Sequence, residues 1–254
     1  MTASETCSGH SLITLKIACT GESIKFIKDF WYDGPNKCLY TFGKHFLKSS
    51  NFFIRQGDLD ASCAVYSLMM MLMIHKKVTY SELTDRKKAQ GESKRGRTAK
   101  MRLQEMFLRD FEGQYLEDSG YRFEVLAADL QTCFKKLAKA IPFELGDQKS
   151  NSKEKQELRH RIVERIDEGY PVEIGFGYKG KDYGHAIIAV GYTHHKGNLR
   201  LFCLDPAHEL PTLAFWNAIV DIYEKDDKSQ VYSDSYYTQD NMEQVCVDQI
   251  LTVE

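Results

Sequence analysis

The longest apolar stretch of the chain runs from Ala64 to Ile74, interrupted only by Tyr66 and Ser67. A serine directly before it can cap the start of a helix, and the basic residues 75–77 suit the negative end of the helix dipole. A helix that is apolar on nearly all sides is normally enclosed by the rest of its domain. The pattern therefore predicts a buried central helix over residues 62–76, which is too short to cross a bilayer.

Apolar residues recur at helical spacing in three further segments, Met101 to Phe111, Val125 to Ala140 and Lys153 to Glu168. Gly169 follows the last of these and is a typical residue for ending a helix. The polar stretch from Gly146 to Lys155 predicts a loop. An amphipathic stretch is expected near residues 215–223.

Strand patterns dominate both ends of the chain. Residues 11–50 combine β-forming runs with turn signals and predict an N-terminal β-hairpin layer. Later strands are expected at 172–178, 185–192, 199–205 and 244–253, with a hairpin turn within 193–198. The fold class is therefore α+β, with a buried helix packed on an antiparallel sheet. We expect two units, an extension over residues 1–50 and a main domain over residues 51–254.

Composition and charge narrow the class of protein. The chain has 254 residues, 43% hydrophobic and 28% charged, with a net charge of -2. These values are typical of a globular domain and do not favour nucleic acid or a membrane surface as a partner. Seven cysteines without a CxxC pair, and a start that lacks signal-peptide character, favour a reducing compartment. We expect a cytoplasmic protein, with export by a leaderless route left open.

Residues 86–102 carry eight basic side chains and one acidic side chain. Like charges at this density repel one another, and two glycines weaken any helix, so this segment predicts a mobile basic loop. A strip that binds nucleic acid is the alternative. No aromatic residue is interleaved for base stacking, and the loop is the favoured interpretation.

Cys63 stands at the mouth of the predicted central helix. A free thiol is mostly protonated at neutral pH, and the unpaired N–H groups and positive dipole of a helix start favour its thiolate form. A histidine partner would complete the activation of a nucleophile. Taken alone, Cys63 would more often be a small buried apolar residue.

His185 and Asp205 belong to two successive predicted strands. If the hairpin turns near residues 195–196, the positions that face His185 fall near 205–207, about 5 Å away across the sheet. Asp205 could then bond the imidazole and hold the tautomer that leaves the other ring nitrogen for the thiol. Each residue has an ordinary structural explanation by itself. Together with Cys63, their spacing predicts a catalytic triad.

Gln56 precedes Cys63 by seven residues, and its amide could receive the oxyanion of acyl transfer together with the Cys63 N–H. With Gln56, Cys63, Gly184-His185 and Asp205-Pro206, the chain resembles the bacteriocin-leader-processing (double-glycine) peptidases of the papain-like superfamily. The resemblance covers roughly residues 54–208. It implies that Cys63 is the nucleophile, His185 the general base and acid, Asp205 its orienting partner and Gln56 the oxyanion donor.

The chain departs from this family at two places. The family commonly has an Asp-Cys-Gly core six residues after the glutamine, whereas here Ser62-Cys63-Ala64 places Cys63 seven residues after Gln56. A transporter region of the kind that accompanies leader-processing domains is also not found, so the resemblance does not imply a role in bacteriocin export.

The sequence therefore predicts a papain-like cysteine peptidase that acts on protein or peptide substrates without a cofactor. A metal site built from His194, His195, Cys203 and His208 is disfavoured, because no spacing among them matches a zinc motif. Two alternatives stay open. One is a deamidase or acyltransferase on the same fold, and the other is a catalytically idle papain-like domain that only binds a partner.

Overall fold

The computed structural model describes residues 15–16, 23–28, 30–42, 49–56, 63–80, 122–134, 138–146, 152–223 and 232–254. The predicted helix at Met101 to Phe111 and the basic segment 86–102 lie outside these residues. The helices are α1 Cys63–Ile74, α2 Phe123–Phe134 and α3 Ser152–Asp167. The strands are β1 Leu15–Lys16, β2 Ser23–Phe26, β3 Phe30–Asp33, β4 Cys38–Phe42, β5 Ser49–Asn51, β6 Ala140–Glu144, β7 Val172–Tyr178, β8 Gly184–His195, β9 Asn198–Leu204, β10 Ala218–Ile222, β11 Asp234–Tyr237 and β12 Met242–Val253.

Six of these strands close into a ring in the order β8, β7, β12, β11, β10 and β9, because β9 also pairs with β8. All of these pairings are antiparallel. Closure leaves the ring without free edges, and β2 and β6 add to the outer ends of the two longest strands, β8 and β12. The predicted mixture of helices with an antiparallel sheet is confirmed.

Helix α1 is buried along its whole length and packs against β8 and β7. Four of its twelve residues are methionines, whose flexible side chains fill irregular gaps in a core. The apolar run therefore forms a helix inside the protein, as the sequence pattern indicates. Within the described part of the chain, no helix combines the length and the apolar character that a bilayer crossing requires.

The hairpin between β8 and β9 is tighter than the sequence suggests. The strands extend to His195 and from Asn198, and only Lys196 and Gly197 form the turn, with φ of 52° and 85°. Two consecutive positive φ values are typical of a type I′ turn, whose twist matches that of paired strands. This turn sets the β8–β9 register as far as Gly191–Phe202, and a bulge between Ala189 and Gly191 then shifts it by one residue. The broader turn expected at 193–198 left this register uncertain.

Two predictions need correction, one of a helix and one of a loop. The segment 125–140 is helical only to Phe134, and Ala140 begins β6, which pairs with β12. Pro142 explains the change, since proline cannot continue a helix and disfavours helical backbone at Ile141 before it. The loop expected at Gly146 to Lys155 is shorter, because α3 already begins at Ser152. The amphipathic stretch near residues 215–223 contains strand β10.

The N-terminal strands contact the main body in two ways. Strand β2 pairs with β8, whereas β3, β4 and β5 form a separate three-stranded sheet. Leu39 of that sheet and the following Phe52 are fully buried and belong to the main core. The division of the chain at residue 50 stays a prediction.

Lys155 and Asp234 form a buried ion pair between α3 and the start of β11, with 2.9 Å between Nζ and Oδ1. Their side chains are 5% and 0% exposed. Lys155→Ala would leave the carboxylate buried without its cation, so we expect a loss of about 3–5 kcal/mol in the free energy of unfolding, measured by urea denaturation. Glu157→Ala, which breaks an exposed pair with Arg161 on the same helix, should cost less than about 1 kcal/mol. Equal losses of stability in the two variants would contradict the assignment of Lys155 and Asp234 as a buried, stabilising ion pair.

Candidate active site

Cys63 is the first residue of α1, and its side chain reaches the edge of the core with 9% exposure. The first N–H groups of a helix have no partner within it and point towards its amino-terminal end. Together with the helix dipole they favour a negative charge at this position. The thiol is therefore placed where a thiolate would be stabilised by the backbone.

One hydrogen bond fixes the start of α1 against β8. The hydroxyl of Ser67 donates to the carbonyl oxygen of Ala186 at 3.2 Å, and both residues are buried. Ser67 lies one helical turn after Cys63, and Ala186 directly follows His185 in the chain. The bond therefore connects α1, one turn after the thiol, to the residue that follows the imidazole in the chain.

His185 lies near the start of β8, between Cys63 and Asp205. Its Nε2 is 2.9 Å from Oδ1 of Asp205, and the Cys63 side chain lies close enough to contribute to the pKa of the ring. Since Nε2 is engaged by the carboxylate, Nδ1 is the ring nitrogen left for the thiol. The imidazole packs edge-on against Phe176, directly opposite on β7, with ring centroids 5.7 Å apart.

Electrostatics favour a charged imidazole at this position. Burial alone would lower the pKa of His185, but the nearby Asp205 carboxylate, followed by Cys63, raises it to about 10. Burial would raise the pKa of Asp205, but the charge and hydrogen bond of His185 hold it below its usual range. The two groups therefore stabilise each other as an imidazolium and a carboxylate at neutral pH.

Hydrogen bonds from Asn217 and Ala207 hold the chain around Asp205. Asn217, itself buried, accepts the Asp205 N–H at 2.7 Å and donates to the Asp205 carbonyl oxygen at 2.8 Å. The N–H of Ala207 donates to Oδ1 at 2.8 Å. These bonds immobilise the chain directly after β9, where the carboxylate must meet the imidazole.

The structure brings Gln56 next to the same turn. Its backbone N–H donates to the carbonyl oxygen of Pro206 at 2.9 Å, so residues 56 and 205 belong to neighbouring segments. Residues 57–62, which link Gln56 to Cys63, lie outside the described part of the chain. Cys63, His185 and Asp205 thus come together as expected, and Gln56 lies beside them through its backbone.

An open cleft of about 300 Å³ borders Cys63 and His185. Its floor is the β7–β8 hairpin, where Gly175 and Gly177 lie opposite Ala186 and Gly184. These four positions carry no side chain larger than a methyl group, and the backbone is partly exposed at Gly177 and exposed at Gly184, whereas Gly175 and Ala186 are buried. Such surfaces allow another backbone to approach closely.

Glu173 continues the same face of β7 and is completely buried. Neither carboxyl oxygen has a hydrogen-bond partner among the described residues. Burial, with a smaller contribution from Cys63, raises the pKa of Glu173 well above its usual value and so favours the uncharged carboxyl. The uncharged form adds no negative charge that would oppose a thiolate at Cys63.

Three positions near the site were missed by sequence reasoning: Ser67, Asn217 and Tyr236. Ser67 had a signal, because a serine hydroxyl inside a largely apolar helix needs a partner when buried. The other two lie 12 and 31 residues after Asp205 and reach it because β10 and β11 follow β9 in the sheet. No local pattern marks them.

The family model for the Peptidase_C39 like family matches residues 50–230. The chain therefore belongs to this family, and the predicted relationship to papain-like peptidases of the bacteriocin-leader-processing type is confirmed. The match spans Gln56, Cys63, His185 and Asp205. A comparison with curated proteins finds no match.

Among solved structures, the crystal structure of UfSP from C. elegans is similar with a TM-score of 0.40 and 11% sequence identity. The similarity covers 96% of this chain and 37% of that chain, so this chain spans little more than a third of the neighbour's length. At this level the likeness carries no weight for the site.

Thiol labelling tests the geometry around Cys63. We expect iodoacetamide at neutral pH to alkylate Cys63 at least about ten times faster than the more exposed Cys38, because the helix start and the imidazolium favour a thiolate. The fully buried Cys203, whose pKa is raised by burial, should react slowest. Peptide mass spectrometry over a time course gives the rates.

The matched control for this labelling is His185→Ala, which removes the imidazole and leaves the helix start in place. Its Cys63 should react at a rate close to that of Cys38. Alkylation of Cys38 as fast as Cys63 in the wild type would contradict an activated thiol.

Proposed function

We propose that this protein is a cysteine peptidase that hydrolyses peptide bonds with Cys63, His185 and Asp205. The observation that carries the proposal is the position of His185, whose ring meets Asp205 at one nitrogen and interacts with Cys63 at the same time. Membership of a peptidase family supports protein or peptide substrates. The fully buried helix that starts at the thiol and packs on the sheet supports a papain-like arrangement.

In the proposed reaction, the Cys63 thiolate attacks the carbonyl carbon of the scissile bond. The carbonyl oxygen becomes an oxyanion, for which the Cys63 N–H and the Gln56 amide are the proposed donors. The His185 imidazolium then gives its proton to the leaving amine as the C–N bond breaks, which leaves a thioester on Cys63. His185 next takes a proton from water, the water oxygen attacks the thioester, and departure of the thiolate releases the acid and restores the thiolate–imidazolium pair.

Asp205 acts through His185 in this scheme. The carboxylate fixes the imidazole by its Nε2, so that Nδ1 stays directed at the thiol through both half-reactions. It also stabilises the imidazolium form that protonates the leaving group. Its removal should therefore weaken catalysis less than removal of either reacting group.

Substitution of the three residues tests this proposal. Cys63→Ala should lower kcat by at least about a thousandfold, His185→Ala nearly as much, and Asp205→Asn less. Substrates come first from a comparison of new peptide N-termini in cell extracts treated with wild type or Cys63→Ala, and kcat is then measured on a peptide from that set. Thermal unfolding should show an intact fold for Cys63→Ala, since the change removes one small atom. Full activity in that variant would contradict the mechanism.

Access to the cleft can be tested at Gly177, which lines it. A Cβ atom built there meets nothing within 4 Å, so a larger residue would project into open space. Gly177→Val should fold normally and keep fast iodoacetamide alkylation of Cys63, yet react at least about tenfold more slowly with a peptidyl chloromethyl ketone. Gly146→Val, which lies outside this cleft, is the control. Equal rates for the bulky reagent in wild type and Gly177→Val would show that substrate does not enter here.

A further inference from the structure

The two oxygens of the Asp205 carboxylate accept hydrogen bonds from different donors. Oδ1 accepts from His185 Nε2 at 2.9 Å and from the Ala207 N–H at 2.8 Å. Oδ2 accepts a hydrogen bond from the Tyr236 hydroxyl, while His208 Nε2 lies 3.8 Å away, beyond hydrogen-bonding distance. Among the described residues, Tyr236 is therefore the one hydrogen-bond donor to this oxygen, and the Asp205 residue is 0% exposed.

The ring of Tyr236 is held firmly. The residue lies on β11, is 4% exposed, and its ring centroid is 5.1 Å from Phe176, 6.2 Å from Tyr178 and 6.3 Å from His185. Burial, followed by the charge of Asp205, raises the pKa of its hydroxyl, which therefore keeps its proton to donate. A buried, immobile hydroxyl is thus directed at the second oxygen of the carboxylate.

We propose that Tyr236 is a positioning residue of the active site, whose hydroxyl fixes the rotation of the Asp205 carboxylate and so directs Oδ1 at His185. The inference rests on the proposed function, because it assigns a role within that same site. The hydroxyl acts through Asp205, while the ring of the tyrosine packs beside His185.

Two physical effects follow from the bond. First, it prevents rotation of the Asp205 carboxylate, so that Oδ1 stays directed at the imidazole. Second, it stabilises the charged form of a fully buried carboxyl, which would otherwise take up a proton more readily. Without the hydroxyl, Oδ2 would be buried without a hydrogen bond, and Asp205 would support the imidazolium over a narrower pH range.

The test is Tyr236→Phe, which removes only the hydroxyl, with Tyr178→Phe as the matched control. Tyr178 belongs to the same cluster of rings around His185, but its hydroxyl makes no hydrogen bond to Asp205. The rate of Cys63 alkylation by iodoacetamide is measured from pH 4 to 10, together with kcat and KM on a cleaved peptide and the unfolding temperature.

For Tyr236→Phe we expect kcat to fall about tenfold with KM nearly unchanged, because the loss concerns the reacting groups and not binding. The acidic edge of the alkylation profile should move up by about half a pH unit or more, since Asp205 loses a group that stabilises its anion. Tyr178→Phe should leave both unchanged. A double-mutant cycle with Asp205→Asn should be strongly non-additive, because the hydroxyl has no carboxylate to position in that background.

Several results would overturn the inference. They are an unchanged pH profile and kcat in Tyr236→Phe, equal effects in the two tyrosine variants, or additivity in the cycle. If Tyr236→Phe does not fold while Tyr178→Phe does, the hydroxyl is required for stability, and the positioning role is rejected. The proposed function fails separately, if Cys63 of the wild type is not selectively alkylated.

Discussion

The carboxylate of Asp205 lies wholly inside the protein, where an ionised group without partners would be very costly. It persists as an anion because His185, Ala207 and Tyr236 all present hydrogens to it. The same anion also stabilises the buried imidazolium of His185. Because these charges are stable only together, the geometry of the whole site depends on how precisely this one carboxylate is surrounded.

The closed ring of strands provides that surrounding. Strands β8 and β9 place His185 and Asp205 at neighbouring strand ends, and the two-residue turn at Lys196–Gly197 sets their register together with a bulge between Ala189 and Gly191. Strands β10 and β11, which follow β9 in the ring, then bring Asn217 and Tyr236 to the same point. Helix α1 adds only the thiol, and Ser67 ties it to β8. The site is therefore built mainly by the sheet.

The sequence allowed prediction of the parts of the site that have local signals. An apolar run behind Cys63 predicts a helix start, and a hairpin that turns near residues 195–196 predicts Asp205 close to His185. Both patterns depend on short stretches of chain and on strand periodicity. Helix α1 begins at Cys63 and Asp205 lies 2.9 Å from His185, whereas the catalytic roles of these residues stay a proposal. Gln56 was found through resemblance to a family, and its side-chain role stays a prediction.

The remaining parts depend on contacts distant in sequence. In the sequence alone, nothing distinguishes Asn217 and Tyr236 from other polar or aromatic residues, because their contacts with Asp205 depend on strand pairing. The end of the helix predicted at 125–140 was wrong for a similar reason, since pairing with β12 and the presence of Pro142 outweigh the continued apolar spacing. Burial of Glu173 without a hydrogen-bond partner among the described residues also has no sequence signal, because a charged residue in a strand normally faces water.

The central claim is that a carboxylate and a thiol hold the His185 imidazole in its charged form. A pH titration of the His185 ring resonances by nuclear magnetic resonance tests this directly. The account predicts that the ring stays doubly protonated through neutral pH and titrates near pH 10. Titration near the ordinary histidine value of about 6.5 would contradict it.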